Sequence, residues 1–452
     1  MKSPPGTRRV LLKPRVIVTM DAGRRTIRGG AVLVNGPVIE AVLTAEELHR
    51  LPPFDGSVVD AGDRVLIPGF IQTHIHLCQT LFRGLADDLE LLDWLSLRIF
   101  PFEAAHTTAS LRASAFLGIA ELIRSGTTTI MDMGSVRHEE EIAAAVAKSG
   151  IRAFIGKAMM DINDATPALR EAAGDALRST REQAKEWHGA AGGRLMYAVA
   201  PRFVLSCTEG LLREAHAMTA DFPGMLFHTH AAENRKELQG VRERCRMDNL
   251  EFFDALGILQ PNTCLAHCIW LNEREFGLLA DRRARVLHCP SSNLKLGSGI
   301  APVPALLRRG VTVSLGADGG ACNNRLDMFE EMRLASLIQK PLHGPTAMDA
   351  ETVFAMATVG GAETLGLSAV TGSIEPGKKA DLVLLDLDRA WNAPGNGGIY
   401  STIVYSGCAE NVHSVMIDGA WVYRDGLHTT LEERQTVATA REELEALLRR
   451  IP

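Results

Sequence analysis

Apolar and polar positions along the chain fall into three regimes. From Val16 to Val59, short runs of β-type residues (VIVTM, AVLVNG, VIEAVL) alternate with turn residues, and Asn35-Gly36 is a hairpin signal. From about Pro68 to Leu367 the rhythm becomes apolar strand, loop, helix, repeated. Eight strands are expected, over Gly69–His74, Thr127–Asp132, Ile151–Lys157, Leu195–Pro201, Met225–His230, Thr263–His267, Arg285–Cys289 and Val311–Ala317. Helical stretches such as Ala109–Arg124, Glu139–Lys148, Ala168–Trp187 and Glu273–Ala280 separate most of them. After Gly372 the β-type runs return in ADLVLLDLD and SVMIDGAWVY, with Asp418-Gly419 as a second hairpin turn, and a charged helix over Leu431–Arg450 closes the chain.

Such alternation specifies an α/β fold, a (β/α)8 TIM barrel over residues 68–371, whose functional groups gather at the carboxyl ends of its strands. Neither β-rich end has enough apolar surface to be stable alone. Residues 1–67 and 372–452 are therefore expected to pair into one small β-sandwich domain. A doubly wound open sheet is the structural alternative, but no GxGxxG or GxxxxGK[ST] loop supports it.

Composition narrows the function class. The 452 residues are 46% hydrophobic and 23% charged, enough for a large core, and the formal net charge is -6 with no dense Lys/Arg run. A nucleic-acid or membrane partner is not expected on these grounds. The start of the chain, MKSPPGTRRV followed by LLKPRVIV, lacks a signal-peptide core and cleavage site, and no apolar run approaches membrane-spanning length. Eight cysteines (Cys78, Cys207, Cys245, Cys264, Cys268, Cys289, Cys322, Cys408) are scattered without CxxC spacing, as reduced core or pocket residues would be. A cytoplasmic enzyme is the expectation.

The chemistry is concentrated at the strand ends. In PGFIQTHIH (68–76) two histidines stand two apart on a strand, so His74 and His76 point to the same side and can grip one metal ion. A lone HxH is more often just two polar residues, but later strand ends add His230 with Glu233 (HAAE), His267 (CLAHC) and Asp318 (SLGADGG). Other residues have plainer readings. His228, one layer below His230, reads as a hydrogen-bonded core group, and His288 reads equally as packing or as a group that orients a ligand. His106, His138, His188, His216, His343, His413 and His428 read as surface residues. The run Asp87-Asp88-Leu89-Glu90 could be a solvated face.

The segments PGFIQTHIH (68–76), HTHAAEN (228–234), CLAHC (264–268), HCPSSNLKL (288–296), LGADGG (315–320) and GSIEPGKKADLVLLD (372–386) together resemble the amidohydrolase superfamily. More narrowly the chain is similar to its aminohydrolase and chlorohydrolase branch, which holds methylthioadenosine/S-adenosylhomocysteine deaminases, 5'-deoxyadenosine deaminases and triazine hydrolases. The stretch RGLADDLELLDWLSLRIFPFE (83–103) resembles the substrate loop of the adenosine-type deaminases, with Trp94 and Glu103 in matching places.

The resemblance implies His74, His76, His230 and Asp318 as ligands of one divalent metal per chain. Three neutral imidazoles and a carboxylate suit Zn2+ first and Fe2+ second, with a position left open for water. Two-metal relatives carry a lysine at the end of strand four, where this chain has Ala200-Pro201-Arg202, so one metal is favoured. Asp318 can accept a water proton, Glu233 would move a proton between water and a ring nitrogen, and His267 would hydrogen-bond the attacking water or the developing tetrahedral centre. Glu103 would meet ribose hydroxyls. Two positions depart from the nucleoside-deaminase pattern: Arg202 replaces a histidine, and Lys157 stands where an arginine is frequent, so both are candidate substrate contacts.

The implied activity is hydrolytic deamination of an aminopurine nucleoside by a homo-oligomer, dimer or tetramer, acting on a small-molecule substrate. Alternatives are a triazine hydrolase or a guanine/8-oxoguanine deaminase on the same centre, or a non-catalytic binding barrel. The last lacks a physical reason to keep an open metal site.

Overall fold

In the computed structural model, which describes residues 9–395 and 397–451, all eight expected strands form. The signal-peptide reading of the first ten residues falls mostly on residues 1–8, outside the described residues. Strands one to eight are Phe70–His76, Thr127–Asp132, Arg152–Ile155, Leu195–Pro201, Leu226–Ala231, Thr263–His267, Arg285–His288 and Val313–Leu315. Each pairs in parallel with the next, and every residue of strand one is buried, as expected when helices cover the outside of a parallel sheet.

Closure of the barrel is indirect. Strand eight stops at Leu315, and it is a second short strand, Asp318–Gly319, that pairs with strand one, Asp318 opposite Ile75 and Gly319 opposite His76. Gly316 permits this. A Cβ there would lie 2.6 Å from the carbonyl oxygen and 2.8 Å from the nitrogen of His74, so no side chain fits where the two strands meet.

The two chain ends form a four-stranded and a seven-stranded sheet, the second mixing Val16–Val18, Thr26–Arg28 and Val65–Pro68 with Leu382–Leu385, Val412–Ile417, Ala420–Arg424 and Leu427–His428. Leu12, Val32 and Ile39 of the first sheet share one core with Ile17, Leu66, Leu382 and Met416 of the second. Both expected hairpins are present. The pairs Asn35–Val38 and Ile417–Ala420 flank two-residue turns, and Asp418 and Gly419 have φ of 52° and 76°, the positive values that a tight hairpin requires.

A buried ion pair ties this part to the barrel: Arg152 of strand three donates to both carboxylate oxygens of Asp381 at 2.9 and 3.2 Å. The closing helix, Glu433–Leu448, lies on the barrel helix Thr108–Arg124, and its Ala440 and Leu447 are buried in a cluster with Leu81, Phe82 and Phe102. Among the described residues, no helix is long and apolar enough to cross a membrane.

Candidate metal and active site

Strand one ends with His74 and His76 directed into the barrel mouth, strand five brings His230, and the closing strand brings Asp318. Their candidate ligand atoms all lie within 4.8 Å of one another. His74 Nε2 and His76 Nε2 are 3.4 and 3.3 Å from Asp318 Oδ1, and His76 Nε2 is 3.3 Å from His230 Nε2.

Proton positions follow from what surrounds each ring. His76 Nδ1 is 2.7 Å from the carbonyl oxygen of Met133, and His230 Nδ1 is 2.7 Å from that of Arg202. A carbonyl can only accept, so both Nδ1 atoms carry the proton and both Nε2 atoms in the neutral rings present bare lone pairs to each other. His74 Nε2 is also buried, with no hydrogen-bond partner among the described residues. The bare nitrogens of His76 and His230 converge with His74 Nε2 beside a carboxylate; they repel unless a cation lies among them, and this donor set fits a divalent metal.

Burial lowers the proton affinity of all three imidazoles, His76 to about 3, which keeps them neutral as metal ligands must be. Burial works to raise Asp318, but the imidazoles of His74, His76 and His267 around it outweigh that and hold its carboxyl well below the usual range.

The rest of the expected machinery surrounds this cluster. His267 Nε2 lies between two carboxylates, 3.4 Å from Glu233 Oε2 and 3.8 Å from Asp318 Oδ2. Burial, with the charges of Asp318 and Glu237, pushes Glu233 well above the ordinary carboxylate range, so it holds a proton where a free glutamate would not. The backbone is bent to achieve this placement. Ala232, His267, Cys268 and Asp318 all have φ between 49° and 74°, the left-handed region that non-glycine residues avoid.

Two orienting groups went unread in the sequence, although both lie in the HCPSSN segment after strand seven. Ser292 Oγ donates to Asp318 Oδ2 at 2.7 Å, and Asn293 Oδ1 accepts from His267 Nδ1 at 2.8 Å. Glu331 in turn holds that segment by accepting from the Ser291 backbone N–H at 3.2 Å. The signal for these residues was their nearness in sequence to a barrel strand end.

The substrate residues divide. Trp94, Leu91, Leu95, Arg202 and Phe203 line the cavity over His76, His230, Glu233 and Asp318, and the Trp94 indole N–H is buried with no partner among the described residues. Glu103 is near but engaged: Arg202 donates to its two oxygens at 2.7 and 3.1 Å, and Gln79 Nε2 donates to Oε1 at 2.9 Å. Lys157, expected at the substrate, does not line the cavity. Its ammonium is buried against Glu171, and burial pulls its proton affinity down while Glu171 pulls it up.

His106, expected at the surface, does not lie there. It is a buried residue whose Nε2 donates to the Cys78 carbonyl oxygen at 2.8 Å, holding the turn that follows His76. His428 likewise keeps only 1% of its side chain exposed, against Tyr423.

The cavity above the site measures about 20 Å³, far below the roughly 300 Å³ at which small-molecule pockets begin. Its cover is the helix Leu91–Trp94, which passes into a π-helical turn at Leu95–Ile99, an irregularity common at functional sites.

Comparison with known proteins agrees with this geometry. The profile of the Amidohydrolase family matches residues 65–422. A 5'-deoxyadenosine deaminase of Methanothermobacter thermautotrophicus is 43% identical over 93% of this chain and 95% of its own length. A 5-methylthioadenosine/S-adenosylhomocysteine deaminase of Syntrophomonas wolfei is 35% identical over 96% and 98%. The crystal structure of an adenosine deaminase from Xanthomonas campestris with bound zinc superposes with a TM-score of 0.92 at 31% identity, covering 99% of this chain and 100% of that one. Barrel, strand-end histidines and sequence relatives agree, and the chain belongs to the Amidohydrolase family.

Proposed function

We propose that the protein is a hydrolytic deaminase of a 5'-modified adenosine, such as 5'-deoxyadenosine, methylthioadenosine or S-adenosylhomocysteine, with one Zn2+ held by His74, His76, His230 and Asp318. The observation that carries the reading is the facing pair of bare nitrogens, His76 Nε2 and His230 Nε2 at 3.3 Å, with Glu233 and His267 alongside. Substrate class is supported by the names of the relatives and by Trp94 over the site.

A divalent metal there supplies the Lewis acidity that makes a hydroxide nucleophile available near neutral pH. The residues move the protons. Asp318, held ionised, accepts a proton from the attacking water as the C6–O bond forms, while Glu233, held protonated, gives its proton to ring N1. The C6–N6 bond then breaks: the amine takes the proton from Asp318 and leaves as ammonia, and Glu233 regains a proton from the new hydroxyl as the C6 carbonyl forms. His267 lies within reach of both carboxylates and steadies the tetrahedral centre between them. Closure of Leu91, Trp94 and Leu95 over the cavity excludes bulk water during these transfers.

Steady-state kcat/KM on 5'-deoxyadenosine, methylthioadenosine, S-adenosylhomocysteine, adenine, 8-oxoguanine and a chlorotriazine tests the reading. A nucleoside should lead. A free base or triazine leading by tenfold or more would overturn the substrate class and leave the metal chemistry standing.

A further inference from the structure

Each of the three candidate ligand imidazoles has its far nitrogen tied down, but not by the same kind of group. For His76 and His230 the partner of Nδ1 is a backbone carbonyl, that of Met133 and of Arg202. For His74 it is another imidazole: Nδ1 lies 2.7 Å from Nε2 of His228, with the two rings perpendicular and their centroids 4.9 Å apart. Both side chains are fully buried, and His228 stands on strand five two residues before His230, facing inward one layer deeper.

A carbonyl fixes the tautomer of its partner because it can only accept. An imidazole can accept or donate, and the two choices have opposite consequences here. If His228 accepts, His74 carries its proton on Nδ1 and offers a bare Nε2 beside Asp318 Oδ1, 3.4 Å away. If His228 donates, the His74 proton moves to Nε2 and points into the donor cluster, and the ring is no longer a ligand. The contact also excludes His228 as a fifth ligand through Nε2, since that atom is already engaged with His74.

We propose that His228 is a positioning residue that accepts the Nδ1 proton of His74 and so holds His74 in the metal-binding tautomer, the task that main-chain carbonyls perform for His76 and His230. The inference rests on the proposed ligand role of His74. Groups that orient a metal-bound histidine typically carry 10- to 100-fold in metal affinity.

The test is the zinc dissociation constant, measured by chelator competition, of wild type, His228→Leu and His228→Gln. Leucine fills the space without accepting, and glutamine can present its amide oxygen to His74 Nδ1. Zinc should bind about 10- to 100-fold more weakly to His228→Leu, and to His228→Gln within about threefold of wild type. Zinc binding by His228→Leu within threefold of wild type, or His228→Gln as weak as His228→Leu, would overturn the inference. Should His228→Leu not fold, as shown by loss of a cooperative thermal transition in the metal-free protein, His228→Met makes the same deletion with the same expected loss. A wild-type protein that takes up no zinc would instead overturn the ligand set itself, and this inference with it.

Discussion

Arg202 and Glu103 face each other in a two-pronged ion pair, 2.7 and 3.1 Å long, with the Arg202 guanidinium also lying 5.1 Å from the centre of the Phe100 ring. Both side chains are almost wholly buried at the edge of the cavity. A ribose bound here would meet Glu103 as part of a pair, with its carboxylate oriented by Arg202 and Gln79. It is not a free acceptor.

Breaking the pair should show in stability as well as turnover. Glu103→Ala leaves a buried guanidinium unpaired, a loss of about 3–5 kcal/mol, whereas the apolar double replacement Glu103→Leu with Arg202→Met should recover most of that stability and none of the nucleoside turnover. Urea unfolding of the single and double variants checks this. A single variant costing under about 1 kcal/mol would contradict a desolvated pair.

Metal content should follow the four clustered residues. His76→Ala and Asp318→Ala should each lower zinc content sharply, measured by elemental analysis after dialysis, because each removes one of the four candidate donors that converge among the described residues. Full occupancy in a His74→Ala/His76→Ala double variant would refute the ligand set.

Glu233→Gln should keep metal and fold but lose at least about 10²-fold in kcat, since an amide cannot carry the proton. Near wild-type turnover would assign the shuttle to another residue. Asn293→Ala should lose less, because it leaves the His267 ring in place without the acceptor that aims it.

Acid should destabilise the metal-free protein in a defined window. Burial depresses His76 and His288 to about 3 and His106 to about 4, so the folded chain keeps these rings neutral while the unfolded chain protonates them below about 6.5. Stability is thus fully present above pH 6.5 and is lost as pH falls toward the folded values. His288 isolates the effect, because neither of its ring nitrogens has a protein partner among the described residues. At pH 5, His288→Leu should remove an acid penalty of about 2 kcal/mol, seen as a smaller drop in thermal midpoint between pH 7 and 5 than in wild type. An unchanged drop would contradict it.

The barrel and the metal cluster were legible in the sequence because both depend on short periodicities. Strand alternation puts His74 and His76 on one face, and His230, Glu233, His267 and Asp318 each stand where an apolar run stops. What escaped depends on contacts across the fold. The Arg202–Glu103 pair joins residues 99 apart, and no local pattern shows that two substrate candidates satisfy each other. Lys157 ends an apolar run like a site residue, yet Glu171, in the loop beyond, takes its charge. His106 has the look of a surface group in a polar turn, and only the fold brings the Cys78 carbonyl to it.

Hydrolytic deamination at this metal cluster should depend on bound metal. The protein is stripped with a chelator, zinc is added back in steps, and ammonia release from 5'-deoxyadenosine is followed. Activity should be absent without metal and rise linearly to a plateau at about one zinc per chain. Undiminished turnover by the metal-free protein, or a plateau only at about two zinc per chain, would contradict it.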